Sequence, residues 1–165
     1  MNYWQYTFQL GKEKIKVYIA EDGGYITGLY FTDEFLKEKS GLKKNDYIKK
    51  ESAFIKKAAG QLGDYFAGKR KEFDLPLSFT GTDFQKKVWD ALMTIPYGET
   101  RSYGQIAART GNPKAARAVG MANNRNPISI ICPCHRVIGS SGHLTGYGGG
   151  LDKKAFLLTL EGRLT

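Results

Sequence analysis

The sequence predicts an α+β protein in two parts, a small N-terminal α/β domain and a mainly helical C-terminal domain with a helix-turn-helix. Three observations support this. Strand-like segments separated by short turns fill the first third of the chain, helical periodicity follows them, and the second half holds two short helices joined at a glycine turn. We place the boundary near Leu77, so that the domains cover residues 1–77 and 78–165.

The first third predicts an antiparallel meander, because its segments are rich in aromatic and β-branched residues and partly alternate. The strand candidates are Tyr3–Leu10, Lys14–Ala20 and Tyr25–Phe31. The turns between them are Gly11-Lys12 and Asp22-Gly23-Gly24.

From Asn45 to Ala67 the apolar residues recur at helical spacing, which predicts a helix that Gly68 closes. The basic cluster at residues 69–71 and the segment around Pro76 are typical of a linker.

Helix-start patterns mark the second half of the chain. Thr82 with Gln85, and Ser102 with Gln105, have the spacing of capping boxes. The second capping box opens the first helix of the candidate helix-turn-helix. Asn112 then predicts an N-cap, with the second helix running from about Pro113 to Asn123. A helical hairpin in an ordinary bundle would look similar. A last helix is expected from about Lys153 to Leu160.

Net charge and its distribution indicate an anionic partner. The net charge is +9 and the pI is near 9.5. No Asp or Glu lies between Thr100 and Leu151, whereas six basic residues do: Arg101, Arg109, Lys114, Arg117, Arg125 and Arg136. A carboxylate would weaken a nearby phosphate contact, so this segment favours a polyanion over the alternative of a solvated basic face.

The second helix of the candidate helix-turn-helix is unusually slim. Its residues from Ala115 to Ala122 are mostly Ala and Gly, with Arg117 as the one long projecting side chain. Two interpretations stay open: close packing on a neighbouring helix, or a helix thin enough to press against a narrow groove.

The expected location is cytoplasmic, in association with the nucleoid. The N-terminus lacks a signal-peptide pattern, no apolar run is long enough to cross a bilayer, and reduced thiols fit an intracellular protein.

The segment from Ile128 to Ile138 begins as an apolar, β-type run and ends in a turn with a thiol, an imidazole and a guanidinium. His135 and Arg136 could favour the thiolate of Cys134 if the side chains converge. Two alternatives compete. Both cysteines could be small buried hydrophobes, as is expected of Cys132. Zinc could bind the set Cys132, Cys134, His135 and His143, although the spacing is not a usual zinc pattern.

Glu161 breaks a local rule, because it lies at the C-terminal end of the last helix, where the helix dipole disfavours a negative charge. A glutamate that orients an imidazole would explain it.

Pro133-Cys134-His135-Arg136-Val137 resembles the active-site motif of the O6-alkylguanine-DNA alkyltransferases, also called methylated-DNA–protein-cysteine methyltransferases. The resemblance extends from Thr82 to Gly162. Residues 111–120 resemble the family's recognition helix, Asn126-Pro127 its asparagine hinge, and residues 146–150 and 157–162 its following loop and last helix. The resemblance implies a ribonuclease H-like N-terminal domain and a winged-helix-like C-terminal domain.

The resemblance also implies roles for individual residues. Cys134 is the alkyl acceptor, His135 takes its proton through a water, and Glu161 orients His135. Tyr103 donates a proton to N3 of the leaving guanine, and Asn126 ties the recognition helix to the active-site turn. Arg117 replaces the extruded base. The implied DNA contacts are Arg117, Ala116, Lys114, Arg125, Arg136 and Ser102, and the implied base pocket comprises Tyr147, Gly148 and Val137.

The implied function is DNA repair by irreversible, stoichiometric transfer of an alkyl group from O6-alkylguanine, and from O4-alkylthymine, to Cys134 after base flipping. No cofactor or metal is expected, because the thioether is stable and no Cys or His precedes Cys132 to form the structural zinc site of some relatives. The expected partner is double-stranded DNA, bound by a monomer through the minor groove. The alternatives are a lesion-sensing DNA-binding protein with an inert thiol, and a thiol hydrolase that uses Cys134 and His135.

Overall fold

The structure is a computed structural model that describes residues 1–36, 46–147 and 149–162. The chain divides into two compact units, Met1–Ser78 and Phe79–Thr165. Within the described residues, no helix combines the length and the apolar character that crossing a membrane requires.

The N-terminal unit is built on a mixed sheet. Its strands are β1 (Asn2–Leu10), β2 (Glu13–Asp22), β3 (Tyr25–Tyr30) and β4 (Ile48–Lys49), in the order β3-β2-β1-β4. The first three strands pair antiparallel, which confirms the predicted meander, and β4 pairs parallel with β1. A short 3-10 helix, Asp33–Leu36, follows β3.

Helix α1 (Ala53–Phe66) covers this sheet, with Ile55, Leu62 and Phe66 buried. It begins later than predicted, because the Ser52 side chain accepts a hydrogen bond from the Ile55 N–H and caps the helix there. Ile48, which the helical pattern included, lies in β4 and is 60% exposed, and Asn45 lies outside the described residues.

The segment before residue 79 is not the free linker that its composition predicted. Gln61 donates to the Asp74 carbonyl at 3.2 Å and accepts from the Asp74 N–H at 2.9 Å. The Ile26 N–H donates to the Pro76 carbonyl, and the Ser78 N–H donates to the Ile26 carbonyl. This segment therefore extends the hydrogen bonding of β3.

The C-terminal unit is mainly helical. Its helices are α2 (Asp83–Leu92), α3 (Tyr103–Arg109), α4 (Ala116–Asn124) and α5 (Leu151–Leu160), with a 3-10 turn at Cys134–Arg136. Strand β5 (Arg101–Ser102) pairs parallel with β6 (Val137–Ile138). Both predicted capping boxes form, at α2 and α3. The Trp89 indole of α2 is buried and donates to the Ala122 carbonyl of α4 at 2.9 Å, which fixes α2 against α4.

The start of α4 differs from the prediction. Asn112 does not cap the helix, because its side-chain oxygen accepts the Lys114 N–H at 3.2 Å and its carbonyl accepts the Ala115 N–H. Residues 112–115 are thereby held in a turn, and α4 begins at Ala116 without a side-chain cap.

We predict opposite effects for two glycine substitutions in the N-terminal unit. A Cβ at Gly28 would clash with the Tyr30 ring, which stacks on Phe35 with 4.5 Å between ring centroids. Gly28→Ala should therefore lower the free energy of unfolding by about 1–3 kcal/mol. Gly60 lies exposed in α1 with open space around it, so Gly60→Ala should raise the free energy by about 0.5–1 kcal/mol. Urea unfolding of both variants checks the signs; a stabilising Gly28→Ala would contradict the packing described.

Candidate active site

The segment that leads to Cys134 is a series of turns and not the predicted strand-like run. The Ile131 N–H donates to the Ser129 carbonyl at 2.8 Å, and the Cys132 N–H donates to the Ile128 carbonyl at 3.0 Å. Ile130 is buried with a φ of +71°, a backbone conformation that strains a β-branched residue. The chain thus reaches Cys134 through a tightly folded, partly strained loop.

Two asparagines connect α4 to this loop and to the thiol turn. The Asn126 side chain donates to the carbonyls of Cys132 (2.8 Å) and Ile128 (3.3 Å) and accepts the Ile128 N–H at 3.0 Å. Asn123, within α4, donates to the Cys134 carbonyl at 3.3 Å. Sequence reasoning singled out Asn126 and missed Asn123, because nothing in the pattern distinguishes Asn123 from its exposed neighbour Asn124.

Glu161 is buried and joins His135 and Arg136. Its carboxylate accepts from Arg136 Nη2 at 2.7 Å and Nε at 3.0 Å, and it lies 3.0 Å from His135 Nε2. Burial alone would raise the pKa of Glu161, but the hydrogen bonds and charges of these two partners outweigh it and lower the pKa to about 2. The carboxylate is therefore ionised, and its unfavourable position at the end of α5 is offset by these contacts.

The structure places Arg136 inside the protein, which does not fit its predicted contact with DNA. Besides the bidentate contact with Glu161, Nη1 donates to the Ile95 carbonyl at 2.6 Å. The guanidinium is used within the protein because a buried charge needs a partner and hydrogen bonds.

His135 is completely buried, and burial lowers its pKa, so the ring is neutral at pH 7. Because Nε2 faces Glu161, the carboxylate favours the tautomer with the hydrogen on Nε2. Within the described residues, Nδ1 has no hydrogen-bond partner. The ring is thus oriented as a base whose accepting atom is Nδ1.

Cys134 is 3% exposed, and burial raises the pKa of its thiol to about 11. Hydrogen bonding by Asn126 and the charge of Lys154 lower the pKa in part. The expectation that Arg136 favours the thiolate is therefore replaced: the cation that acts on Cys134 is Lys154, which the sequence pattern did not indicate.

The two alternative interpretations of the cysteines have separate outcomes. Cys132 is fully buried, with Sγ 3.7 Å from the Trp89 carbonyl, and is the small buried hydrophobe that was expected. The zinc set is contradicted. His143 is exposed, and among the described residues no group of three or more His, Cys, Asp or Glu side chains could hold a metal ion.

Tyr103 opens α3 directly after its cap Ser102, and its hydroxyl donates to the Thr145 carbonyl at 2.8 Å. Lys154 Nζ donates to the same carbonyl at 2.8 Å. Tyr147 follows two residues later, and its side chain lowers the pKa of the Cys134 thiol. Val137 is buried, and its backbone pairs with Arg101 in the β5–β6 ladder. Gly148 lies outside the described residues.

The remaining predicted DNA contacts lie on or beside α3 and α4. Lys114, Arg117 and Arg125 are exposed, whereas Ala116 and Ser102 are half-buried. The slimness of α4 has two sources. Ala122 is buried and Gly120 faces the Tyr103 ring, which supports close packing, while Ala118 is exposed beside Arg117.

Family models match both units of the chain. Residues 3–79 match the ribonuclease-like domain of 6-O-methylguanine DNA methyltransferase, and residues 83–163 match its DNA-binding domain. The chain belongs to this family. The predicted resemblance and the α+β fold are thereby confirmed.

Individual relatives and solved structures agree. The methylated-DNA–protein-cysteine methyltransferase of Methanosarcina acetivorans is 59% identical over 128 residues, which cover 78% of this chain and 82% of the relative. That of Mycobacterium leprae is 52% identical over 143 residues, covering 87% and 84%. The crystal structure of Mycobacterium tuberculosis OGT in complex with DNA superposes with a TM-score of 0.86 at 47% identity, covering 99% of this chain and 95% of that one.

We predict that Glu161→Gln destabilises the protein strongly. The change leaves Arg136 buried beside a neutral partner, which should cost about 3–5 kcal/mol of the free energy of unfolding. Glu99→Gln is the matched control, because Glu99 pairs with Arg101 at 3.3 Å on the surface with 51% of its side chain exposed. Breaking that pair should cost at most about 1 kcal/mol. Urea midpoints of the two variants check this; equal losses would contradict the role of the buried cluster.

The same cluster predicts how stability depends on pH. The folded-state pKa of Glu161 is about 2, below its ordinary value of 4.5, so its contribution is present above pH 4.5 and is lost as the pH falls toward 2. His135 acts in the same direction, since its lowered pKa makes protonation below about pH 6.5 favour the unfolded chain. Unfolding free energies measured from pH 7 to pH 3 should therefore decrease, and Glu161→Gln should flatten the acid part of the curve.

Proposed function

We propose that this protein repairs DNA by transferring an alkyl group from O6 of guanine to Sγ of Cys134, once per molecule. The observation that supports this most directly is the arrangement of a buried thiol, a neutral buried imidazole as its chain neighbour, and a carboxylate on the far nitrogen of that imidazole. The names of the relatives, methylated-DNA–protein-cysteine methyltransferases, agree with this proposal and with the predicted enzyme class.

The transfer is a displacement at the alkyl carbon. The proton of the Cys134 thiol passes to His135, by way of a water, and the sulfur attacks the alkyl carbon in line with the C–O6 bond. The C–O6 bond breaks, and its electron pair stays on the guanine. Glu161 stabilises the imidazolium that forms, in the manner of a nucleophile–base–acid relay.

The guanine leaves as an anion unless it receives a proton. Tyr103 supplies that proton to N3, which lowers the energy of the leaving group in the transition state. The alkyl group is then on sulfur, the thiol proton is on His135, and Tyr103 is left as the phenolate. Return of a proton to Tyr103 through solvent, and loss of one from His135, restores both side chains, so that the net reaction replaces the alkyl group of the base by hydrogen. The thioether is stable, which makes each molecule single-use.

Burial raises the pKa of the Cys134 thiol to about 11, so the thiol is protonated at pH 7. Loss of the proton therefore accompanies the attack, when the bound lesion and His135 are both in place. A buried, protonated thiol is protected from side reactions until then.

Double-stranded DNA is the proposed partner, entered from the minor groove by α4 of a monomer. The family's DNA-binding domain and the DNA complex of the Mycobacterium tuberculosis structure support binding to DNA. Arg117 fills the space of the flipped base, and the exposed Lys114 and Arg125 meet phosphates. O4-alkylthymine, with a similar alkylated oxygen, is the second proposed substrate. A reducing, DNA-containing compartment suits a free thiol nucleophile.

We predict one added methyl group on the peptide that contains Cys134 after mixing with an oligonucleotide containing O6-methylguanine. Mass spectrometry of the digested protein and of the DNA checks both products, methylated cysteine and restored guanine. Cys132→Ala should still accept one methyl group, whereas Cys134→Ser should accept none. An unmodified Cys134 in stably folded protein that still binds the lesion would instead indicate a lesion-sensing protein. Sustained turnover of an ester without DNA would indicate a thiol hydrolase.

We predict that Arg117→Ala slows repair of duplex DNA much more than reaction with free O6-benzylguanine. Flipping a base costs a few kcal/mol, so losing the side chain that replaces it should slow duplex repair by about 10- to 100-fold. The reaction with the free base should change less than about twofold, because no duplex is opened. Arg109→Ala, which removes an equal charge from the exposed side of α3, is the control and should spare duplex repair at moderate salt. Equal losses on both substrates would contradict the role of Arg117.

A further inference from the structure

Lys154 is a fully buried lysine whose position in α5 no predicted role explains. Its Nζ donates to the Thr145 carbonyl at 2.8 Å and to the Gly146 carbonyl at 3.4 Å. Within the described residues it forms no ion pair with a carboxylate. Burying an ammonium without a counter-ion costs free energy, which a role in the reaction would explain.

The contacts of Lys154 converge with those of Tyr103. The Tyr103 hydroxyl donates to the same Thr145 carbonyl at 2.8 Å. The Thr145 hydroxyl lies 3.4 Å from the Tyr103 hydroxyl. Lys154 Nζ also lies 5.9 Å from the centroid of the Tyr103 ring. One carbonyl oxygen thus receives two donors, a phenol and an ammonium.

The Thr145 carbonyl, which Tyr103 and Lys154 share, competes with a guanine for the hydrogen of the Tyr103 hydroxyl. A phenol has one hydrogen, and in this structure it is directed to Thr145. To serve a guanine, the hydroxyl has to give up the Thr145 carbonyl. The ring itself lies against α4 at Gly120, where an added Cβ would be 3.8 Å from it.

We infer that Lys154 is a positioning residue for Tyr103: it keeps hold of the Thr145 carbonyl while the Tyr103 hydroxyl changes its partner to the flipped guanine. The Thr145–Gly146 segment, which leads to Tyr147, then stays in place although it has lost the phenol. This inference rests on the proposed alkyl transfer.

A double-mutant cycle tests the inference. Single-turnover rates of methyl transfer from an O6-methylguanine oligonucleotide are measured for the wild type, Lys154→Met, Tyr103→Phe and the double variant. Lys154→Met should slow transfer by about tenfold, the effect of losing one charge-assisted hydrogen bond that matters in the transition state. In the Tyr103→Phe background the same change should have less than about a twofold effect, because Lys154 acts through the hydroxyl.

Two further variants separate the alternatives. Lys154→Gln keeps a donor for the carbonyl without the charge and should recover part of the rate; it also serves if Lys154→Met does not fold. Lys153→Met removes the same charge from the neighbouring residue, whose Nζ contacts the Gly149 carbonyl instead, and should leave the rate unchanged.

Reaction of Cys134 with iodoacetamide across pH provides a readout that does not use Tyr103. Because the charge of Lys154 lowers the pKa of Cys134, Lys154→Met should move this pH profile to higher pH by the same amount in both backgrounds, and the methyl-transfer rates are compared after correction for that shift. An equal slowing by Lys154→Met in both backgrounds after this correction would overturn the inference and assign Lys154 to the thiol alone. Absence of any methyl transfer by the wild type would refute the proposed function, which is a different result.

Discussion

The buried contact of Glu161 with His135 and Arg136 is the interaction on which the rest of the C-terminal unit depends. It joins the end of α5 to the thiol turn, and Arg136 extends the connection to the Ile95 carbonyl after α2. Tyr97 adds two contacts at this place in the fold: its hydroxyl donates to the Leu160 carbonyl at 3.3 Å, and its ring lies 5.8 Å from the Arg136 guanidinium. Because burial makes an unpaired charge far more costly than a paired one, the three side chains are held together as a set. The contacts that hold His135 in place are therefore the same ones that hold α5 against the thiol turn.

That set also divides two tasks between neighbouring residues. Arg136 neutralises the carboxylate, so His135 can remain an uncharged ring that receives only a hydrogen-bond acceptor on Nε2. A protonated His135 could not accept the proton of Cys134, and a freely rotating one would present the wrong nitrogen. Burial of the Cys134 thiol raises its pKa, and burial of the His135 imidazole lowers its pKa. The thiol and the imidazole are consequently held in their neutral forms, and in the proposed reaction charge develops only when an alkylated guanine takes the electron pair.

Local patterns predicted much of this fold, and long-range contacts account for what they missed. Both capping boxes were predictable because each involves residues three apart. Glu161 was recognisable because its charge opposes the helix dipole. Arg136 was not, since its neighbours resemble a DNA-binding segment while its partner lies 25 residues away. Lys153 and Lys154 are equivalent in sequence, and only the rotation of α5 against the core decides which one is buried. The run Ile128–Ile131 reads as a strand, but the Asn126 side chain satisfies backbone groups that a sheet would otherwise have to satisfy.

Helix α4 packs on the thiol turn with one side and is exposed on the other, so it could couple DNA binding to the reaction. Its buried side is fixed by the Trp89 indole at Ala122 and reaches the Cys134 carbonyl through Asn123. Its exposed side presents Arg117 and Ala118. A side chain inserted into DNA from this helix is therefore separated from the thiol by a short, rigid, hydrogen-bonded path. In the proposed complex, α4 therefore sets the distance between the vacated base position and the turn that carries Cys134.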